Sequence, residues 1–245
     1  TKGWRYGMGN ALAVLKPSKL TQIWGILEIC VESDLIVIMQ AANTGLTGGS
    51  TPFGSDYDRP IVIINTMRIK DIHIIKEGSQ IVGLTGSTLY GLERKLKPYG
   101  REPHSIIGST SIGASIIGGI CNNAGGSLVQ RGPSYTEMAL YARISKTGKL
   151  ELVNELGINL GSNPEEILDN LQNQNYDESD IHETDQLGSD NKYSEIVREI
   201  DKSTPARYNS DSRLLYGASG SAGKIAVFAV RLDTYVSPTE NKVFY

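Results

Sequence analysis

Cysteine and histidine are scarce in this chain, no apolar stretch is long, and basic residues do not exceed acidic ones. Its two cysteines, Cys30 and Cys121, have no CxxC partner and no neighbouring histidine pattern. That excludes the usual zinc and dithiol redox centres. They read as reduced, buried thiols, with a reducing cytosol as the default compartment. The formal net charge is −3, with lysines and arginines scattered rather than massed, so there is no electrostatic case for a nucleic-acid partner. No apolar run approaches the roughly 20 residues of a membrane-spanning helix, and Thr1 to Arg5 lack a signal-peptide core. The first residue is not Met, and Lys242 to Tyr245 read as part of a strand, so the chain is expected to be a fragment.

What remains is an ordinary globular composition, 39% hydrophobic over 245 residues, enough for one large domain or two lobes. Ala11 to Leu15 reads as a strand. Ser18 is placed to cap a helix carrying Leu20, Ile23, Leu27, Cys30 and Val31 at helical spacing. Asp34 to Met39 follows as a continuous apolar strand, expected in a sheet covered on both faces. Ile61 to Ile64 gives another strand, and His73 to Lys76 with Gln80 to Leu84 a hairpin. Leu89, Leu92 and Leu96 mark a helix behind Ser87 as N-cap, ending near Gly100.

Tyr135 to Ser145 and Lys149 to Asn154 read as a second hairpin. This pattern divides the chain into a first lobe at 1–130 and a second at 131–245. The second carries an acidic insertion at about 160–203, helical only at Glu165 to Leu171 and Ser194 to Ile200. Tyr176 to Asn191 reads as a mobile surface excursion. Lys224 to Asp233 is a strand returning to the second lobe.

Two stretches carry chemistry. Ala41 to Pro52 (AANTGLTGGSTP) places glycines 45, 48 and 49 among small polar residues directly after a strand, a composition suited either to a plain turn or to backbone amides converging on an anion. It is neither the GxGxxG of a dinucleotide fold nor a Walker loop. Gly217 to Lys224 (GASGSAGK) imitates the latter. However, Ala218 replaces the first glycine, Ile225 stands where Ser or Thr would hold magnesium, and a strand follows, so it reads as a turn. Ile107 to Ser127 (IGSTSIGASIIGGICNNAGGS) is a second small-residue stretch, fitting tight helix packing or close approach to a large flat ligand.

Together, AANTGLTGGS and IGSTSIGASIIGGICNNAGG resemble the FAD-binding domain of the vanillyl-alcohol oxidase and p-cresol methylhydroxylase family. The segments Arg101 to Ser105, Gly126 to Pro133, Thr204 to Asn209 and Ala222 to Asp233 are similar to the bacterial quinone-dependent D-lactate dehydrogenases within it, and the similarity covers nearly the whole chain. The resemblance implies an α/β (α+β) fold: a two-lobed FAD-binding domain with a smaller α/β lobe and a larger lobe built on a mostly antiparallel sheet. It implies that Ala41, Ala42, Asn43, Thr44, Gly45, Gly49 and Ser50 wrap the FAD pyrophosphate. Gly108, Ser115 and Gly125 are to contact the cofactor, and Val227 is to offer its backbone near the adenine or isoalloxazine end. The first loop contains no histidine, so FAD is expected to bind noncovalently, with no metal.

In that family a 2-hydroxy acid such as D-lactate yields a hydride to FAD, and the electrons pass to a membrane quinone. The resemblance thus implies a peripheral enzyme on the cytoplasmic face of the bacterial inner membrane, the fragment itself being soluble. The catalytic base and carboxylate-binding arginine are expected in an absent cap domain, leaving the fragment inactive alone. His73 and His182 read as structural or solvated. His104 could be structural or cofactor-facing, and Arg101 and Arg131 could reach the cofactor or pair with carboxylates. Another FAD oxidoreductase of the same type, or a non-catalytic domain on the same scaffold, remain alternatives.

Overall fold

The computed structural model describes residues 1–105, 109–199, 201 and 212–239. Strand β1 (Ala13–Leu15), helix α1 (Leu20–Glu32), strand β2 (Ile36–Gln40) and strand β3 (Ile61–Asn65) form the first layer. The sheet order is β1-β3-β2, with both pairings parallel. The helix start is satisfied by Gln22, whose Oε1 accepts the backbone N–H groups of Ser18 at 2.9 Å and Lys19 at 3.2 Å. Ser18 is therefore a donor to the cap and not the expected cap itself. The fully buried strand is also β3 and not β2. Because β3 lies between its neighbours, β2 is left at the edge and half-buried along Ile36–Met39.

The second sheet has five strands in the order β4-β5-β9-β7-β8, antiparallel throughout. They are β4 (Ile72–Ile75), β5 (Gln80–Leu84), β7 (Ala139–Ile144), β8 (Leu150–Asn154) and β9 (Ala226–Asp233). A two-stranded ribbon pairs β6 (Arg101–Glu102) with β10 (Tyr235–Val236). The hairpin at residues 72–84, read from sequence as part of the first lobe, pairs through β5 with β9. The sheets thus divide between Asn65 and Ile72, well before residue 130. The physical reason is that β5 is buried along nearly its whole length and needs a ladder on both edges.

Helix α2 (Leu89–Leu96) and helix α3 (Ile116–Cys121) cover one face of this sheet, where Leu89, Leu92, Leu96, Ile116 and Ile120 pack with Ile81, Tyr141, Val227 and Val230. The N-cap of α2 is Thr88, whose Oγ1 accepts from Gly91 N at 3.1 Å. The Ser87 hydroxyl, expected in that role, instead donates back to Leu84 O at 2.6 Å. The other face packs with α1 and with helix α4 (Pro164–Asn173), burying Ile23, Leu27, Leu140, Leu168, Leu171 and Phe228 in one cluster. Helix α5 (Tyr193–Ile196) is shorter than the stretch Ser194 to Ile200 expected from sequence, of which Ile200 lies outside the described residues.

The acidic excursion is fastened rather than free-standing. Tyr176 Oη meets His73 Nδ1 at 2.7 Å, and Leu187 N donates to Glu137 Oε2 at 2.8 Å. Ser189 Oγ donates to Asp233 Oδ2 at 2.7 Å, and Asp233 N to Gly188 O at 3.0 Å. At its centre is Arg231, a fully buried guanidinium on β9. Its Nε donates to Gln80 Oε1 at 2.8 Å, and its Nη1 reaches Leu156 O at 3.1 Å, Gly157 O at 3.4 Å and His182 O at 3.5 Å. Acidity in the sequence suggested solvation, but main-chain carbonyls supply acceptors for a buried cation that no local pattern reveals.

Replacing this cation removes the donor to Leu156 O and His182 O in the core, while Gly157 O keeps His182 N at 2.8 Å. Arg231→Ala is expected to cost about 3 kcal/mol and to lower the melting temperature by roughly 6–12 °C. Proteolysis should then open the chain first between residues 177 and 190. A melting temperature within a degree of wild type would contradict this role.

Candidate functional site

The two small-residue stretches are tied to one junction, where the sheets join, by the segments after β3 and β5. Thr66 N donates to Gln40 O at 2.9 Å, at the end of β2, and Thr66 Oγ1 donates to Thr85 O at 3.2 Å, just past β5. Gly86 N donates to Ile69 O at 2.7 Å, so the chain leaving β5 lies directly on the segment leaving β3. A Cβ on Gly86 would sit 2.2 Å from Thr66 O, so only glycine permits that approach. One residue on, Ser87 O accepts from Ile116 N at 3.0 Å, and Thr88 bridges Ser115. The loop after β2 and the start of α3 therefore stand on one continuous hydrogen-bonded path.

The first loop is braced from behind. Gln40 Nε2 donates to Ser50 O at 2.8 Å, and Ser50 Oγ to Asn43 Oδ1 at 2.7 Å. Asn43 Nδ2 donates to Lys2 O at 2.8 Å, tying the loop to the N-terminal segment. Asn43 takes a left-handed backbone conformation, φ 56°, which its short polar side chain tolerates. With the side chains so engaged, the main chain is left facing outward. From Ala42 through Ser50 no backbone N–H donates to a protein acceptor among the described residues. A Cβ built on Gly45 or Gly49 would meet no protein atom within 4 Å. Packing requires a glycine at 48, where a Cβ would lie 2.8 Å from Tyr6 O, but not at 45 or 49, and a row of free amides is what an anion needs.

The sequence-predicted residues divide accordingly. Ala41, Ala42, Asn43, Thr44, Gly45, Gly49 and Ser50 lie together in this loop. Ser115 is buried, and its Oγ caps α3 by accepting from Gly118 N at 3.0 Å. Gly125 is exposed, just beyond α3. Val227 is buried on β9 and pairs with Tyr141. The β5 ladder ends at Ala229, so on that side the backbone at Val227 lies past the paired region. Gly108 lies outside the described residues.

The imitation Walker loop is spent on structure, as read from sequence. Gly220 N and Ala222 N donate to Ile120 O and Cys121 O at 3.1 and 2.9 Å, closing the end of α3, and β9 follows. Arg131 pairs with Glu102, donates to Pro103 O at 2.8 Å and lies over the Tyr235 ring at 4.1 Å. Arg101 Nη2 donates to Thr234 O at 2.8 Å. Both arginines thus fasten the β6–β10 ribbon. Burial pushes His73 and His104 down to about 4, so both are neutral near pH 7. His73 is held by Tyr176, whereas His104 Nε2 meets Ser134 Oγ at 3.2 Å. The anchors Gln40, Thr66 and Gly86 escaped sequence reasoning, because their roles depend on segments far apart in the chain.

A family profile described as "FAD binding domain" matches residues 11–150, more than half of the chain and inclusive of both small-residue stretches. The chain belongs to the FAD-binding-domain family. FAD is the cofactor of that family, and the outward-facing amides and open glycine positions fit a diphosphate. The chain is 61% identical over 243 residues to the quinone-dependent D-lactate dehydrogenase of Haemophilus influenzae, and 56% identical over 244 residues to that of Escherichia coli. The same enzyme of Corynebacterium glutamicum is 49% identical over 245 residues. These alignments cover 99–100% of this chain but 43% of each relative, so the chain spans less than half their length. Among solved structures, alkyldihydroxyacetonephosphate synthase in two crystal forms aligns with TM-scores of 0.56 and 0.55 at 12% and 13% identity. It matches over 93% of this chain and about a third of its own. That likeness shows the fold, the p-cresol methylhydroxylase type of FAD-binding domain.

Because Gly45 and Gly49 front open space, Gly49→Val is expected to leave the free protein's stability within about 0.5 kcal/mol of wild type. FAD binding should weaken at least tenfold, about 1.4 kcal/mol, in a flavin fluorescence titration. Unchanged affinity would mean that the loop does not face the cofactor.

Proposed function

We propose that this chain is the FAD-holding portion of a quinone-dependent D-lactate dehydrogenase. The observation that carries the proposal is identity of 49–61% running through the whole chain, to three enzymes bearing that name. When bound, FAD would supply the hydride acceptor for the carbon bearing the substrate hydroxyl, and a membrane quinone would receive the electrons. The chain's own part is to bind and orient. Ala41, Ala42, Asn43, Thr44, Gly45, Gly49 and Ser50 would neutralise the diphosphate through main-chain N–H groups, with no lysine required. Gly108, Ser115 and Gly125 would line the cofactor along the second stretch, and the backbone at Val227 would flank it from β9. No histidine occurs between Ala41 and Pro52, which favours noncovalent attachment.

The groups that take the hydroxyl proton and hold the carboxylate belong, on this reading, to the part of the relatives that this chain does not cover. The three histidines support that division: His73 and His104 are buried and neutral, and His182 lies in the acidic excursion. No helix among the described residues is long and apolar enough to cross a membrane. We place the enzyme peripherally on the cytoplasmic face of the inner membrane, with contact to membrane and quinone made by the uncovered part. The organisation into two FAD-binding lobes is retained, with the boundary moved to the junction between Asn65 and Ile72.

Purified chain mixed with FAD and passed over a desalting column should emerge with the visible absorbance of an oxidised flavin and lose it on denaturation. Added D-lactate should bleach that absorbance negligibly. A colourless protein would overturn the assignment, and steady quinone reduction by this chain alone would overturn the proposed division of labour.

A further inference from the structure

The acidic excursion closes over a histidine of the larger sheet. His73 lies on β4, opposite Val82 of β5, and is 5% exposed. Tyr176 covers it from the excursion: the ring centroids are 5.8 Å apart, and Tyr176 Oη meets His73 Nδ1 at 2.7 Å. The turn after β4 holds the next residues, since Lys76 N donates to Glu178 Oε1 at 3.0 Å and Lys76 Nζ pairs with Glu183 Oε1 at 2.6 Å. Beyond these, Ile181 bridges Ile158, and His182 N donates to Gly157 O at 2.8 Å. The segment is thus pinned at points along its length, and the first pin is a buried titratable ring.

We infer that residues 176–183 form a strap across β4 that acid releases, with His73 as the group that takes up the proton. The charges around the ring set the direction. Asp71 lies two residues before it, and Lys95 of α2, whose Nζ donates to Ile72 O, opposes a second positive charge there. From the excursion come Tyr176 and, behind it, Glu178, while Arg231 of β9 faces the phenol. No carboxylate forms an ion pair with His73 among the described residues. An imidazolium under the strap is therefore a buried cation without a bonded counter-ion. Burial holds the ring down at about 4, against an ordinary 6.5 once the strap lifts and water reaches it. Docking is at full strength above about pH 6.5 and weakens as pH falls from there toward 4. Lys76 holds the Glu183 carboxyl below its usual range, so that ion pair persists at pH 5.5 and does not supply the response.

The test is amide hydrogen exchange on the whole chain at pH 7.5 and 5.5, corrected for the intrinsic effect of pH on exchange. Opening across residues 177–183 should rise about tenfold at the lower pH, one proton's worth of linkage over the pH unit below 6.5, while β3 and β5 keep their protection. His73→Gln keeps a polar side chain under Tyr176 but cannot titrate, and it should abolish the response. His182→Gln changes an exposed histidine of the same segment and should leave the response intact. A wild-type change of less than twofold would overturn the inference, as would a tenfold change that survives in His73→Gln. Should His73→Gln fail to fold, Tyr176→Ala decides the matter. Its His73 ring, followed by NMR, should titrate closer to 6.5 than in wild type, and an unmoved titration would overturn the inference.

Discussion

The constraint on which the molecule depends is the contact of Thr66 and Gly86 where the two sheets meet. Thr66 ties the end of β2 to the end of β5 through Gln40 O and Thr85 O, and Gly86 lets the two main chains approach closer than any side chain would allow. Hydrogen bonds fix the geometry here better than apolar packing could, because they specify position as well as proximity. One residue further, Ser87 hands the path to α3. The two small-residue stretches, about 60 residues apart in sequence, are thereby held across one junction.

That arrangement explains how a chain without a dinucleotide fingerprint can hold a dinucleotide. The bracing side chains Gln40, Asn43 and Ser50 consume their own polar atoms in shaping the first loop, which leaves its main-chain donors unspent. The turn that leads into β9 shows the opposite outcome. Gly220 and Ala222 have the composition of an anion loop, but their amides are already committed to the end of α3. What distinguishes the two is which donors remain free once the fold has formed.

Much of this was legible in the amino-acid order. Alternation and helical spacing placed the strands of the two main sheets and α1, α2 and α4 to within a few residues, since Ile, Val and Leu recur at the period of each element, but not the short β6–β10 ribbon. The composition of residues 41–52 marked the loop. Three features were hidden because they depend on distant partners. The edge position of β2 follows from β3 entering beside it. The membership of β4 and β5 in the larger sheet follows from a strand about 150 residues away. The docking of the acidic excursion follows from Arg231, whose carbonyl acceptors no local pattern announces. Capping was also misplaced at α1 and α2: Lys19 and Thr88 hold the N-cap positions, one residue beyond Ser18 and Ser87, and the side chains of Gln22 and Thr88 supply the acceptors.

The central claim, that main-chain amides of the first loop hold the cofactor diphosphate, is tested most directly by amide hydrogen exchange with and without FAD. The account predicts that exchange across residues 42–50 is fast in the free chain and slows markedly when FAD is bound, with a weaker response at 113–125. Bound flavin with undiminished exchange across 42–50 would contradict it.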